Sequence, residues 1–147
     1  LMRKINYIVV HCSATREGCT LTSEVLEAEH RRRGFRTTGY HYYIRRDGTV
    51  LGTRSLELPG AHCRGHNKYS IGICYEGGLD ARGNPKDTRT PEQRSALHLL
   101  VYQLLQQFRN ARVCGHRDLS PDLDGDGTVE PWEWVKQCPC FEVSKEF

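Results

Sequence analysis

Apolar and polar positions along this chain follow two rhythms, one suited to strands and one to helices. Ile5 to Val10 is a short, mostly apolar run rich in β-branched residues, the pattern of a buried strand. Thr22 to Arg33 has helical spacing, with Leu26 and His30 four apart, Val25 beside them and Gly34 as a stop. Gly39 to Val50 reads as a hairpin: Tyr40 to Ile44 is strand-like, Arg46-Asp-Gly48 supplies the turn, and Thr49 to Leu51 returns. Ser70 to Tyr75 is a second buried-strand pattern, ended by Gly77-Gly78.

The clearest helix runs from Pro91 to about Phe108. Thr90 is a good N-cap, Pro91 suits the first helical position and Gln93 completes a capping box. Leu97, Leu100, Val101, Leu104, Leu105 and Phe108 recur at threes and fours, which marks a scaffold face. Strands alternating with helices predict an α/β fold: a single domain over residues 1–147, with a central mixed β-sheet flanked by helices. No internal repeat, low-complexity tract or linker interrupts it.

Composition adds little to this and excludes some things. With 37% hydrophobic and 27% charged residues, the balance is that of a globular domain with a proper core. The net charge of +3 is mild, yet Arg31-Arg-Arg33, Arg36 and Arg45-Arg46 cluster. Such clusters suit a solvated face or an anionic polymer, a wall polymer as well as nucleic acid. Seven cysteines cannot form a complete intramolecular disulfide set. No charged-then-apolar leader precedes Asn6 and no apolar run approaches membrane-spanning length. The expectation is synthesis in a reducing cytoplasm without a signal peptide or membrane insertion, and release to an exterior substrate by lysis or a dedicated secretion route.

Three separated residues carry the candidate chemistry. His11 ends the first apolar run, His116 follows Val113-Cys-Gly115, and Cys138 belongs to Lys136-Gln-Cys-Pro-Cys-Phe141. Two imidazoles and a thiolate make a three-ligand zinc set whose fourth position stays open to water, as in a catalytic site. On a strand, neighbouring side chains face opposite ways, so His11 points inward and Cys12 is left to packing. A histidine at a strand end is by itself more often structural; the three contexts together point to metal.

The motifs extend beyond these residues. Val9-Val-His11, the stretch Gly39 to Val50, His62 to Asn67, Ser70-Ile-Gly-Ile-Cys74, Gly115-His116 and Lys136-x-Cys-Pro-x-Phe141 occur in that order over nearly the whole chain. In this the chain resembles the zinc-dependent N-acetylmuramoyl-L-alanine amidases of the peptidoglycan-recognition fold, especially single-domain phage lysozyme-amidases. The resemblance implies that His11, His116 and Cys138 bind Zn2+ while Tyr40 and Lys136 assist catalysis. It implies hydrolysis of the amide between the lactyl group of N-acetylmuramic acid and L-alanine of the stem peptide. Zinc would activate water and polarise the carbonyl, and a cation at Lys136 would stabilise a developing oxyanion. Tyr40 would bond either the water or the oxyanion. The resemblance also puts His62, Arg64 and Asn67 on the substrate groove, as candidate contacts to peptidoglycan or muropeptide. A monomer that binds no nucleic acid is expected.

Two further expectations remain. Asp122, Asp124 and Asp126, then Gly127, Thr128, Glu130 and Glu133, fill the positions of a twelve-residue calcium loop over 122–133. The flanks do not spell out a full helix pair, so the alternatives are Ca2+ or an acidic solvated turn. The rival to catalysis is a recognition module of the same fold that binds wall fragments without cutting them. Non-catalytic relatives typically lack the Cys ligand, and this chain keeps Cys138.

Overall fold

In the computed structural model, which describes residues 3–147, the first apolar run forms β1 (Tyr7–Cys12), buried at every position but Tyr7. The Ser-Ile-Gly-Ile-Cys-Tyr segment forms β5 (Ser70–Tyr75), buried throughout. The hairpin is β3 (Tyr42–Ile44) paired antiparallel with β4 (Val50–Gly52). Two short strands, β2 (Thr15–Arg16) and β6 (Gly78–Leu79), pair with each other as a separate ribbon. A seventh strand, β7 (Arg112–Gly115), lies outside the sequence expectations. Arg112 is exposed, Val113 and Cys114 are half-buried and Gly115 is buried, so the strand carries neither an apolar run nor a clean alternation.

The main sheet has the order β4-β3-β5-β1-β7. β1 lies parallel to both β5 and β7, β5 is parallel to β3, and only the β4 edge runs antiparallel. The sheet is therefore mixed, as expected, and its central strands are buried because both faces are covered.

The two faces differ. Ile8, Val10 and Cys12 of β1 share one face with Ile71, Ile73 and Tyr75 of β5, and there they join Leu97, Leu100, Val101 and Leu104 in the larger core cluster. Those leucines and the valine belong to α2 (Pro91–Gln107), whose start is fixed by the Thr90–Gln93 capping box. The Thr90 hydroxyl also donates to the Arg46 carbonyl at 2.6 Å, tying the helix start to the β3–β4 turn.

The opposite face holds Val9 and His11, with Gly72 and Cys74 as their β5 partners. Here α1 (Ser23–Arg32), capped by the Thr22 hydroxyl, covers only part of the sheet through Leu26, which packs with Tyr43 and Cys74. A smaller helix on this face leaves space beside the strand ends, and the site lies in that space. Among the described residues, no helix is long and apolar enough to cross a membrane.

Candidate metal centre

His11 and His116 meet because β1 and β7 are neighbours. Val10 pairs with Gly115, so His11, next to last in β1, lies beside His116, the first residue beyond β7. Their rings stand 4.6 Å apart between centroids. Both sit at the carboxyl ends of parallel strands, where the chain turns away and opens a crevice. The Gly115 N–H donates to Asp118 Oδ2 at 2.8 Å, which closes the short 3-10 turn His116–Leu119 and fixes how His116 emerges.

Cys138 is delivered by a separate segment held from three sides. The Arg117 N–H donates to the Cys138 carbonyl at 2.9 Å, and the Tyr75 hydroxyl donates to the Pro139 carbonyl at 2.6 Å. Pro139, which follows a cis peptide bond, lies so close to Gly115 that a Cβ there would be 2.7 Å from its ring. The ligand atoms of His11, His116 and Cys138 all lie within 4.8 Å of one another. The Cys12 N–H points at Cys138 Sγ at 3.2 Å, which fixes where the sulfur sits. His11 is almost fully buried, and burial first, then His62, His116 and Lys136, holds its pKa well below the ordinary value. It is therefore neutral, as a metal ligand must be. A converging N, N, S set that includes a neutral imidazole fits zinc.

The cleft around this centre has a volume of about 550 Å3. Tyr40 enters it just before β3, 5.1 Å from the His11 ring centroid to centroid. Burial, with the thiols of Cys74, Cys138 and Cys12 adding to it, holds the Tyr40 hydroxyl well above its ordinary pKa, so it stays a hydrogen-bond donor. Lys136 is exposed at the mouth. One wall is α1, through Leu26, Glu29, His30 and Arg33. Beyond the Arg31–Arg33 cluster, nothing local marks Glu29 or Arg33 as cleft residues, because their position depends on how α1 lies against the sheet.

The 61–67 loop closes the other side. Arg64 is exposed on a groove it shares with Arg33 and Lys136. Asn67 turns inward: its Oδ1 accepts the N–H of both His62 and Cys63 at 2.9 Å. His62 lies against the metal centre, with Nδ1 2.8 Å from His11 Nε2 and Nε2 3.1 Å from Ser70 Oγ. Nearby His41 accepts the Gly72 N–H at Nδ1, so its Nε2 carries the proton and donates to the Leu58 carbonyl at 2.8 Å. Among the described residues all seven cysteines are unbridged, with Cys12 and Cys140 sulfurs 3.9 Å apart.

The acidic loop 122–133 is exposed over Asp122 to Thr128. Asp122, Asp124 and Glu133 bring carboxylate oxygens within 4.8 Å of one another, and so do Asp124, Asp126 and Glu130. A 3-10 turn, His116–Leu119, precedes it, and its last three residues, Pro131–Glu133, form another, so a single turn stands where an EF-hand's exiting helix would begin. Glu133 is buried and its carboxylate accepts N–H groups from Leu123, Asp124 and Glu130.

Residues 1–139 match the profile of the family described as N-acetylmuramoyl-L-alanine amidase. A protein of Haemophilus influenzae described as uncharacterized is 47% identical over 97 residues, covering 66% of this chain and 84% of that one. The endolysin of Klebsiella phage KP32 is 35% identical over 143 residues, covering 97% of this chain and 85% of that protein. Among solved structures, the N-acetylmuramoyl-L-alanine amidase LysC from Clostridium intestinale URNW superposes with a TM-score of 0.75 at 26% identity, covering 98% of this chain and 82% of that one.

Proposed function

The chain belongs to the N-acetylmuramoyl-L-alanine amidase family, and from that membership we propose that it cuts peptidoglycan between the muramyl lactyl group and L-alanine with zinc held by His11, His116 and Cys138. The observation that carries this reading is the convergence of those three ligand atoms within 4.8 Å at the floor of a substrate-sized cleft. Zinc supplies Lewis acidity there, activating water near neutral pH and polarising the scissile carbonyl.

The protein's own groups do the rest. Lys136 presents a positive charge at the cleft mouth, two residues before Cys138, where negative charge develops as the amide becomes tetrahedral. Tyr40 keeps its proton and donates a hydrogen bond into the same space. Arg33 and Arg64, on the groove beside Lys136, give the wall polymer's carboxylates a basic surface; of the three loop candidates, all of which line that groove, Arg64 is the most exposed. All of these groups come from one chain, so a monomer suffices. The relation to phage endolysins favours delivery to the wall by lysis.

The acidic loop is read as a calcium site that orders the segment leading to Lys136 and Cys138. Support comes from the two clusters of converging carboxylates, Asp122 with Asp124 and Glu133, and Asp124 with Asp126 and Glu130. Hydrogen bonding with Asp126 and Glu133 amid the neighbouring carboxylates pushes Glu130 up to about 8, a crowding that a cation would relieve. Titration calorimetry on zinc-loaded protein should detect calcium binding that Asp124→Ala abolishes; no heat in the wild type returns the loop to a solvated turn.

The central experiment is mass spectrometry of purified muropeptides incubated with zinc-loaded wild type and with Cys138→Ala. Wild type alone should release a peptide with a free N-terminal L-alanine and a peptide-free muramyl sugar. Fragments that bind zinc-loaded protein without being cut would establish a recognition module and remove the roles of Tyr40 and Lys136.

A further inference from the structure

His62 stands beside His11 in a slot that the sheet has cleared for it. Ser70 and Gly72 lie on the same face of β5 as Cys74, the β1 partner of His11. A Cβ on Gly72 would lie 2.6 Å from the His62 ring, and one on Gly60 only 2.5 Å from it. Two missing side chains thus form the slot. Asn67 fixes the backbone by accepting the His62 N–H, and fully buried Ser70 meets the far ring nitrogen at 3.1 Å. The near nitrogen, Nδ1, is 2.8 Å from His11 Nε2. A surface contact for substrate would not need such a socket.

Proton bookkeeping gives the arrangement one meaning. A neutral imidazole has one N–H and one lone pair, and the lone pair must face the metal. With His11 Nε2 occupied by His62, Nδ1 of His11 is the nitrogen left for zinc, and its proton resides on Nε2. That proton is donated to His62 Nδ1, which puts the His62 proton on Nε2, facing Ser70 Oγ. The opposite polarity would place a proton on His11 Nδ1 and leave no lone pair for the metal.

We propose that His62 is a positioning residue of the metal centre, accepting the Nε2–H of His11 and so locking the ring and tautomer that present Nδ1 to zinc, with Ser70 holding His62 in turn. This rests on the zinc reading above and replaces the substrate contact expected for His62 from sequence. Outer partners of ligating histidines are worth about 10–100-fold in metal affinity.

The test measures zinc affinity by competition with a chromophoric chelator, alongside KM and kcat on muropeptides, for wild type, His62→Ala, His62→Asn and Ser70→Ala. His62→Ala should weaken zinc binding by about 10–100-fold. His62→Asn, whose amide oxygen can stand near the lost Nδ1, should recover most of it. Ser70→Ala should cost about fivefold, the scale of one hydrogen bond; it carries the test if His62→Ala does not fold. Wild-type zinc affinity in both His62→Ala and Ser70→Ala overturns the proposal and leaves the zinc reading intact. A rise in KM with unchanged zinc affinity also overturns it and returns His62 to the substrate groove. Failure of the wild type itself to bind zinc removes the underlying reading and this inference with it.

Discussion

Gly72→Ala isolates the packing that positions the site. Gly72 lies in the middle of β5 without a positive φ, so alanine fits the backbone and even gains roughly 0.4–1 kcal/mol by restricting the unfolded chain. The obstacle is the His62 ring, whose atoms would lie 2.6, 2.7 and 2.9 Å from the new Cβ. Ordinary contact begins near 3.4 Å, so the ring must retreat by roughly 0.8 Å, and the backbone at Gly60 leaves it little room to do so. Overpacking of this kind costs about 1–3 kcal/mol. The net loss should be about 1–2 kcal/mol, lowering Tm by roughly 3–8 °C for a chain of this length. A 2.8 Å bond from His62 to His11 stretched by the same distance is no longer a hydrogen bond, so zinc affinity should fall as well. The control is Gly52→Ala, in strand β4, where an added Cβ meets nothing within 4 Å. Denaturant unfolding of both variants with matched m-values, followed by zinc competition, gives the comparison. If Gly72→Ala matches Gly52→Ala in midpoint and zinc affinity, the close-packed slot is refuted.

Three further outcomes follow from the same geometry. Lys136→Ala and Tyr40→Phe should each lower kcat by about 10²–10³-fold while zinc affinity stays at the wild-type value; steady-state kinetics on zinc-loaded protein separates the two. Burial foremost, with Arg3 and Arg54 adding and the Leu58 carbonyl opposing, pushes His41 down to about 4 from an ordinary 6.5. Between those values the unfolded chain binds the extra proton, so stability is full above about pH 6.5 and declines on acidification toward pH 4, by about 3 kcal/mol at most. Denaturant midpoints of metal-free protein across that range should show the slope, and His41→Asn should make it shallower by His41's share, leaving the part due to buried His11 and His62. Thr90→Ala should cost about 1–2 kcal/mol, since its hydroxyl both caps α2 and donates to the Arg46 carbonyl; thermal unfolding reads it directly.

Local physics made much of the fold legible. The Thr90–Pro91–Gln93 start is written in three residues, and α2 begins where they place it. The Asp47–Gly48 turn is equally local, as is β5 between Ser70 and the paired glycines. The order and spacing of the motifs brought His11, His116 and Cys138 into one hypothesis before any distance was known. β7 is not legible in the sequence because a four-residue strand running from exposed Arg112 to buried Gly115 has almost no pattern; it exists because β1 offers it a free parallel edge.

What the chain could not reveal locally is which residues meet across the sheet. In the sequence His62 is a candidate substrate contact, and Ser70 and Gly72 belong to a buried-strand pattern. Only the parallel register of β5 beside β1, which sets Gly72 against Val9 and Cys74 against His11, turns them into the socket behind His11. Periodicity and capping are short-range and survive in one dimension. The contacts that fix a tautomer or clear a slot join residues 51 positions apart, and their geometry exists only once tertiary packing has chosen the neighbours.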